Sequence, residues 1–303
     1  MSTVPTISFE IFPPKSEKGE ASLWQALDRL APLNPAYVSV TYGAGGTSRD
    51  TSEKIVRRLL NDGTMVPAAH LTCVAASRAD TDRLASRWWE MGVRRIVALR
   101  GDMPNMEGTY RPHAEGYLNA ADLVGGLKRN ADFHVAVAAY PEKHPDSPTV
   151  EADIDNLKRK FDNGADVAIT QFFFDPACYL RFRDRIAAAG ISAPVIPGIL
   201  PISNFARARD FAGRCGASIP TWLAERFEGL DGDSSVRDMV ATATAVEFCQ
   251  ALMEEGVDAF HVYTMNRAPL SIALCRALGA NGATAGASAD PSPLPRAAAG
   301  GAA

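Results

Sequence analysis

The chain has 303 residues, 47% of them hydrophobic and 22% charged, which is enough to bury one large core or two modest ones. Its 31 basic and 35 acidic residues give a formal net charge of -4, and no basic block alternates with aromatic residues, which argues against nucleic-acid binding. The N-terminus lacks a signal-peptide pattern, and no apolar run reaches the roughly 20 residues of a membrane helix, so neither secretion nor membrane insertion is expected.

Eight apolar, β-rich runs alternate with amphipathic stretches along the chain. The predicted strands are, in chain order, TISFEIF, AYVSVTY, MVPAAHLTC, RRIVALRGD, HVAVAAY, DVAITQFFF, APVIPGIL and DAFHVYTMN. Predicted helices between them include ASLWQALDRLAPL, SEKIVRRLLND, DTDRLASRWWEMG and CYLRFRDRIAAAG. Several of these end in glycine, which is typical of a helix C-cap. Most strands recur at intervals of about 30 residues, which predicts parallel strands joined by helices.

The strand count predicts the architecture. Eight strands within roughly 280 residues favour an α/β fold of the closed (β/α)8 TIM-barrel type over an open doubly wound sheet. Extra helical sequence, IPTWLAERFEG and SSVRDMVATATAVEFCQALMEEG, precedes the last strand. From about residue 281 the composition collapses to Ala, Gly, Ser and Pro, which cannot build a core. We therefore expect a barrel over residues 1–280 and a disordered tail over residues 281–303.

Polar residues stand at the carboxyl end of nearly every predicted strand. In a barrel of this type these ends meet on one face, where the active site lies. The residues concerned are Glu10, Thr41, Tyr42, His70, Thr72, Arg100, Asp102, Tyr140, His144, Thr170, Gln171, Asp175, Asn266 and Arg267. A purely structural barrel does not need this convergence, so the pattern predicts an active site.

Glu10 stands between Phe9 and Ile11 in the first predicted strand. One interpretation is a carboxylate that reaches the barrel rim or pairs with an arginine. The other is a carboxyl whose pKa is raised by Phe9, Ile11 and Phe12, so that it donates a proton near neutral pH. The residues by themselves leave both interpretations open.

The segment DIDNLKRK predicts a helix with two different faces. Its buried face has helical spacing and consists of Val150, Ile154, Leu157 and Phe161. Its polar stripe consists of Asp153, Asn156, Arg159 and Lys160. Such a stripe suits either a solvated surface or a ribose-and-pyrophosphate ligand, with the cations on the phosphates.

Other site classes find little support in the sequence. The five cysteines are scattered singly, which is typical of reduced thiols in a cytoplasmic protein. No HExxH motif or histidine pair has metal-ligand spacing, so no metal site is expected. GxGxxG and P-loop signatures are missing after the first strands. The glycine-rich segment GAGGTS, residues 43–48, could form a tight turn or offer backbone N–H groups to a ligand.

Together these segments closely resemble the methylenetetrahydrofolate reductases in their short bacterial form. The resemblance rests on motifs in family order from Ser8 to Gly279: SFEIFPPK, YVSVTYGAGG, AAHLTC, IVALRGD, VAAYPEKHP, DIDNLKRKFDNGAD, AITQFFFD, YLRFRDR, IPGILPISNF and FHVYTMNRA. It implies a barrel over residues 1–280 that binds FAD non-covalently. It also implies reduction of 5,10-methylenetetrahydrofolate to 5-methyltetrahydrofolate with electrons from NADH or NADPH, which supplies methyl groups for methionine synthesis.

The resemblance also implies a mechanism. Hydride passes from the nicotinamide to flavin N5, and the folate then replaces the nicotinamide on the same flavin face. Glu10 would be the general acid that helps to open the imidazolidine ring to an iminium. Asp102 would stabilise that cation and tune the flavin.

Further site residues follow from the same resemblance. The substrate would be contacted by Glu10, by Gln171 at the pterin edge, by Phe211 through stacking and by Arg267 at the glutamate tail. The implied FAD contacts are Thr41, Tyr42, His70, Arg100, Gly101, Asp102, Tyr140, His144, Asp153, Asn156, Arg159 and Lys160. The family is commonly oligomeric, so a homo-oligomer is expected.

One segment departs from the family pattern, and two rival functions stay open. In YLNAADL, Asn119 stands where the family often has a tyrosine near the adenine, and Tyr117 lies two residues earlier. The rivals are another flavin-barrel oxidoreductase, similar to proline dehydrogenase, and a catalytically silent folate- or flavin-binding regulator.

Overall fold

The computed structural model describes residues 4–42, 49–103 and 110–282, which form a parallel sheet surrounded by helices. The strands are β1 (Thr6–Ile11), β2 (Val38–Val40), β3 (Pro67–Thr72), β4 (Arg95–Leu99), β5 (His134–Ala139), β6 (Val167–Thr170), β7 (Val195–Ile196), β8 (Gly198–Ile199) and β9 (Ala259–Tyr263). The α-helices are α1 (Glu17–Leu30), α2 (Arg49–Asp62), α3 (Arg78–Met91), α4 (Ala120–Asn130), α5 (Val150–Asp162), α6 (Pro176–Ala188), α7 (Phe205–Cys215), α8 (Thr221–Phe227), α9 (Ser234–Glu254) and α10 (Ala268–Ala277).

The sheet closes into a barrel through its seventh predicted strand. The strand order is β7-β6-β5-β4-β3-β2-β1-β9-β8, and every pairing is parallel. Only Pro197 separates β7, which pairs with β6, from β8, which pairs with β9. Because proline has no N–H to donate, it interrupts the ladder where the chain passes from one neighbour to the other. The predicted (β/α)8 barrel is confirmed, with APVIPGIL divided into two short strands.

Strand alternation separates an outer layer from the barrel interior. In β1, Phe9 and Ile11 are fully buried in the same apolar cluster as Leu23 and Leu27 of α1. The interior holds a smaller cluster made of Tyr37, Ala68, Val97, Ala136, Val167, Ile169, Ile196 and Ala259. Successive side chains of a strand point to opposite faces. Glu10, which lies between Phe9 and Ile11, therefore faces the barrel axis, as do the corresponding residues of the other strands.

Local sequence signals define the helix ends. The side chain of Ser77 accepts a hydrogen bond from Asp80 N at the start of α3, as an N-cap does. Gly92 ends the same helix with φ of 105°, a left-handed conformation that glycine adopts without steric cost. The predicted glycine C-cap is confirmed at this helix.

The extra helices predicted before the last strand are α8 and α9, and α7 precedes them in the same interval. They enclose a second apolar cluster, which consists of Phe172, Phe174, Leu200, Ile202, Ala208, Ala212, Leu223, Phe227, Ala241 and Leu270. Phe172 and Phe174 follow β6, so this cluster joins the added helices to the carboxyl end of the barrel. Phe211, on α7, packs against it and is thereby held beside the strand ends.

Some predictions fall on residues that the structure does not describe. The glycine-rich segment, residues 43–48, lies outside the described residues, as does the predicted tail from residue 283 onward. The division into a catalytic barrel and a tail therefore stays a prediction. Among the helices of the described residues, none combines the length and apolar character that crossing a membrane would need.

Candidate active site

Two adjoining cavities lie at the carboxyl ends of the strands. We call the first the central pocket, which has a volume of about 370 Å³. It is lined by Glu10, Phe12, Thr41, Tyr42, His70, Val97, Leu99, Ala138, Tyr140, Ile169, Gln171, Phe172, Phe211, Tyr263 and Met265. This size and this mixture of apolar walls with few polar groups are typical of small-molecule sites.

We call the second cavity the side groove, which also has a volume of about 370 Å³. It shares Leu99, Ala138 and Tyr140 with the central pocket, so the two cavities are continuous. Its polar lining consists of Arg100, Asp102, Asn119, His144, Asp146, Ser147, Asp153, Asn156, Arg159 and Lys160. The central pocket is thus mainly apolar, and the side groove is rich in charged groups.

Glu10 lies on the wall of the central pocket, with 22% of its side chain exposed. Its Oε2 atom is 3.4 Å from His70 Nε2 and 3.6 Å from His261 Nε2. Burial by itself raises the pKa of this carboxyl, but the contacts with His261 and His70 and their charge outweigh burial and lower the pKa to about 2. The carboxyl is therefore ionised at neutral pH, which contradicts the interpretation that its surroundings raise its pKa.

The physical reason for this correction is the alternation of β1. Phe9 and Ile11 were expected to surround Glu10, but they lie on the opposite face of the strand, against the helices. Phe12 does line the pocket, yet it is 41% exposed and cannot dehydrate the carboxyl by itself. The groups that contact the Glu10 carboxyl are two histidines, His70 of β3 and His261 of the neighbouring strand β9.

His261 was not singled out from the sequence. It is fully buried in β9, where its Nδ1 lies 2.7 Å from Ser8 Oγ and its Nε2 lies 3.4 Å from Ser39 Oγ. The strand register pairs Ser8 with His261 and Glu10 with Tyr263. The alternation of side chains along the strand could have identified it, because His261 and Tyr263 are two residues apart in AFHVY and therefore share the inward face.

Aromatic and amide side chains form another wall of the central pocket. Phe211 packs on Phe172 with ring centroids 5.1 Å apart, and Tyr263 lies edge-on to Phe172 at 6.2 Å. Gln171 Oε1 accepts a hydrogen bond from Phe172 N at 3.0 Å, which fixes the side-chain amide at the pocket wall. Flat rings beside an anchored amide suit a planar ligand with polar edges.

Lys160 supplies a buried positive charge to the side groove. The residue is 6% exposed, and its Nζ donates to Ala138 O at 2.7 Å. Burial disfavours the charged form and lowers the pKa of the ammonium to about 8, although Asp153 acts in the opposite direction. An ammonium group has three donors, so Lys160 can also bind an anion in the groove.

A network of hydrogen bonds fixes the groove wall around His144. The backbone N of His144 donates to Asp153 Oδ2 at 2.7 Å, and its ring lies edge-on to Tyr140 at 4.6 Å. Its Nδ1 accepts from Asp146 N at 2.9 Å, which assigns the proton of the neutral ring to Nε2. Arg100 donates to Asp146 Oδ2 at 2.7 Å, and this contact is the main cause of the lowered pKa of Asp146.

Tyr117 and Asn119, the two candidates for the position where the family often has a tyrosine, have different surroundings in the structure. Tyr117 is buried, and its hydroxyl donates to Asp82 Oδ1 at 2.6 Å, while burial raises the pKa of the phenol to about 12. Tyr117 also packs so closely on α4 that a Cβ at Gly126 would lie 2.0 Å from its hydroxyl oxygen. Asn119 lines the side groove and caps α4 by accepting from Asp122 N. The groove wall at this point is therefore an asparagine.

Most of the predicted site residues line one of the two cavities. In the central pocket they are Glu10, Thr41, Tyr42, His70, Tyr140, Gln171 and Phe211. In the side groove they are Arg100, Gly101, Asp102, Tyr140, His144, Asp153, Asn156, Arg159 and Lys160. Arg267 differs, because it is exposed at the start of α10 and is not among the described residues that line either cavity.

Residues 2–279 match the methylenetetrahydrofolate reductase family. The chain is 48% identical over 273 residues to the 5,10-methylenetetrahydrofolate reductase of Salmonella typhimurium, covering 90% of each chain. It is 33% identical over 284 residues to methylenetetrahydrofolate reductase (NADH) 1 of Arabidopsis thaliana, covering 90% of this chain and 48% of that protein.

A solved structure with a similar fold comes from Clostridium thermocellum and is described as binding two copies of 5-methyl-5,6,7,8-tetrahydrofolic acid. It aligns with a TM-score of 0.62 and 14% identity, covering 92% of this chain and 96% of that chain. At this level of identity the likeness concerns the fold alone. The family match over nearly the whole barrel and the close bacterial relatives establish that the chain belongs to the methylenetetrahydrofolate reductase family.

Proposed function

We propose that this chain catalyses the FAD-dependent reduction of 5,10-methylenetetrahydrofolate to 5-methyltetrahydrofolate, with NADH or NADPH as electron donor. Family membership supports the overall reaction. The observation that carries the residue assignment is the position of Glu10, which lies between His70 and His261 in a pocket that continues into a cationic groove.

The side groove has the chemistry that the ADP part of FAD requires. Arg100, Arg159 and the buried Lys160 provide positive charge for a pyrophosphate, with donors that match phosphate oxygens. Asp153 and Asn156 offer acceptors and an amide for ribose hydroxyls. The bound FAD would supply a hydride acceptor for the nicotinamide and a hydride donor for the folate. The adjoining central pocket would hold its ring system.

The walls of the central pocket would orient the planar ligands. Phe211 offers a ring face for stacking, and Gln171 offers an amide held by Phe172 N. Asp102 is exposed in the side groove next to Gly101, so its carboxylate can act through its charge on a cationic folate species. We assign Arg267 no contact with the folate core, because it lies outside the described linings.

Glu10 would deliver a proton to a ring nitrogen of the folate. Because this carboxyl is ionised at neutral pH, the proton has to arrive from a neighbour, and His70 and His261 lie 3.4 and 3.6 Å away. A ligand that fills the pocket removes the remaining water from the carboxyl, which raises its pKa and favours the protonated form. Ser8 holds the other nitrogen of His261 and so fixes the ring.

The wider role follows from the product. 5-Methyltetrahydrofolate is a methyl carrier, so we place the activity upstream of methionine synthesis in the cytoplasm. The name of the Arabidopsis relative includes NADH, which makes NADH the first donor to test. We also propose a homo-oligomer, which size-exclusion chromatography with light scattering would examine.

Anaerobic rapid mixing tests the proposal by following flavin absorbance in each half-reaction. We expect the purified protein to bind FAD, NADH or NADPH to bleach it, and 5,10-methylenetetrahydrofolate to restore the absorbance. Glu10→Gln should leave flavin reduction within about twofold of wild type and slow reoxidation by about a hundredfold, because only the second step needs the acid. Glu90→Gln, an exposed change on α3, is the matched control.

Three outcomes would contradict the proposed reaction, and a fourth would contradict the role of Glu10. A protein that takes up no FAD would exclude it, and folate binding without turnover would indicate a silent regulator. Flavin reduction by proline in place of NADH or NADPH would indicate a dehydrogenase of the rival kind. If both half-reactions slowed together in Glu10→Gln, the residue would not be the folate-specific acid.

A further inference from the structure

The loop after β9 has an unusual backbone. Met265 and Asn266 are consecutive non-glycine residues with φ of 52° and 56°. The left-handed region is sterically unfavourable for residues with a Cβ, and asparagine tolerates it better than most. Two such residues in succession at the edge of an active site indicate that the surrounding contacts hold the loop in this shape.

The side chain of Asn266 binds the exit of β1 through two hydrogen bonds. Its Oδ1 accepts from Phe12 N at 3.0 Å, and its Nδ2 donates to Phe12 O at 2.8 Å. One carboxamide thus satisfies both backbone groups of a residue 254 positions away in the sequence. We call this pair of hydrogen bonds the Asn266 clamp.

Neighbouring contacts fix the rest of the same short segment. Thr264 donates from its N and its Oγ1 to Glu10 O, at 3.2 and 2.7 Å. Thr264 Oγ1 also accepts from Asn266 N at 3.1 Å, and Thr41 N donates to Ile11 O at 2.9 Å. The backbone that carries Glu10 is therefore tied to the last strand on one side and to β2 on the other.

The clamp also sets the mouth of the central pocket. Phe12 and Met265 flank it on either side, line the pocket and are 41% and 42% exposed. Exposed apolar side chains at a pocket mouth are free to contact a ligand there. Without the clamp, nothing in the described contacts would tie the backbone N–H and C=O of Phe12 to the loop.

We propose that Asn266 is a positioning residue for the folate half-reaction. Its carboxamide acts together with Thr264 to fix the segment that carries Glu10, and it holds Phe12 and Met265 as the walls of the pocket mouth. The inference rests on the proposed function, because it assigns Asn266 to the step in which Glu10 acts. The competing explanation is that the loop needs asparagine only for its positive φ.

Asn266→Gly distinguishes these explanations, because glycine adopts the same φ without strain but has no carboxamide. We expect the variant to be reoxidised by 5,10-methylenetetrahydrofolate about tenfold more slowly than wild type or worse, with flavin reduction by NADH or NADPH changed by less than about twofold. Hydrogen–deuterium exchange of the flavin-free protein should be faster in a peptide that contains the Phe12 amide. Asn34→Gly is the matched control, since Asn34 is also an asparagine with positive φ, at 51°, in an exposed turn.

Asn266→Asp provides a second variant if the glycine variant does not fold. It keeps an acceptor for Phe12 N but places an oxygen against Phe12 O, so reoxidation should again be selectively slow. Either variant with wild-type reoxidation would overturn the clamp proposal, and so would unchanged exchange at Phe12. Failure of 5,10-methylenetetrahydrofolate to reoxidise the wild-type protein would instead refute the proposed function. The exchange experiment would still test the clamp in that case.

Discussion

The stability of the folded chain should depend on the ionisation of Glu10, and Glu10→Gln exposes that dependence. Contacts with His261 and His70 lower the pKa of Glu10 from 4.5 to about 2. This difference corresponds to about 3 kcal/mol at 1.36 kcal/mol per pH unit. Since 22% of the side chain is exposed, screening by solvent makes about 3 kcal/mol an upper value.

The sign follows from proton linkage. The folded-state pKa lies below the unfolded-state value, so the unfolded chain binds more protons between the two values. The stabilisation is complete above about pH 5.5 and is lost as the pH falls through 4.5 toward 2. Glu10→Gln is neutral at every pH, so it should be less stable than wild type near neutrality, and the difference should shrink on acidification.

Urea unfolding of the two proteins at a series of pH values measures this difference. Between about pH 6 and pH 3 we expect the stability gap to close by up to about 2 kcal/mol. Glu90→Gln, on the exposed surface of α3, should show no comparable pH-dependent gap. A gap that stays constant or widens toward acid pH would refute the reasoning. If Glu10→Gln were more stable than wild type at neutral pH, the folded-state pKa of Glu10 would be raised and not lowered.

Three further changes test other parts of the structure. His261→Gln removes one contact that lowers the pKa of the Glu10 carboxyl, so the acid transition of this variant in the same urea series should move to higher pH. Gly198→Ala should lower the unfolding free energy by about 1–3 kcal/mol, because a Cβ there would lie 2.2 Å from Thr170 O. Gly213→Ala on α7 is its control and should be neutral or stabilising, because a Cβ there would have no atom within 4 Å. Lys160→Met should weaken binding of ADP to the flavin-free protein by about tenfold or more in calorimetry, and unchanged affinity would remove Lys160 from the anion site.

Much of the fold could be predicted because its signals are local. Each apolar run in the sequence became a strand or, at APVIPGIL, a pair of strands around Pro197. Hydrophobic periodicity and capping residues act within a few positions, so they can be recognised without knowing which elements pack together. That proline would interrupt the ladder at the point of closure could not be foreseen, because it depends on which neighbours β7 and β8 meet.

Many residues of the candidate site could be predicted from the sequence, but their contacts and pKa shifts could not. Placing polar residues at strand ends brought Glu10, His70 and Gln171 into one pocket, as the barrel geometry requires. One of the two histidines beside Glu10 was missed, because His261 is 251 residues away in the sequence and enters the site only through the pairing of β1 with β9.

The sequence by itself determined the strand and helix pattern, the barrel and the chemical types gathered at its carboxyl face. Only the tertiary structure decided that Glu10 is an ionised partner of two histidines, that Tyr117 turns away into α4 and that Asn266 clamps the exit of β1. The reason is physical. A residue's type and spacing are fixed along the chain, but its pKa and hydrogen-bond partners depend on groups that are close only after the barrel has closed.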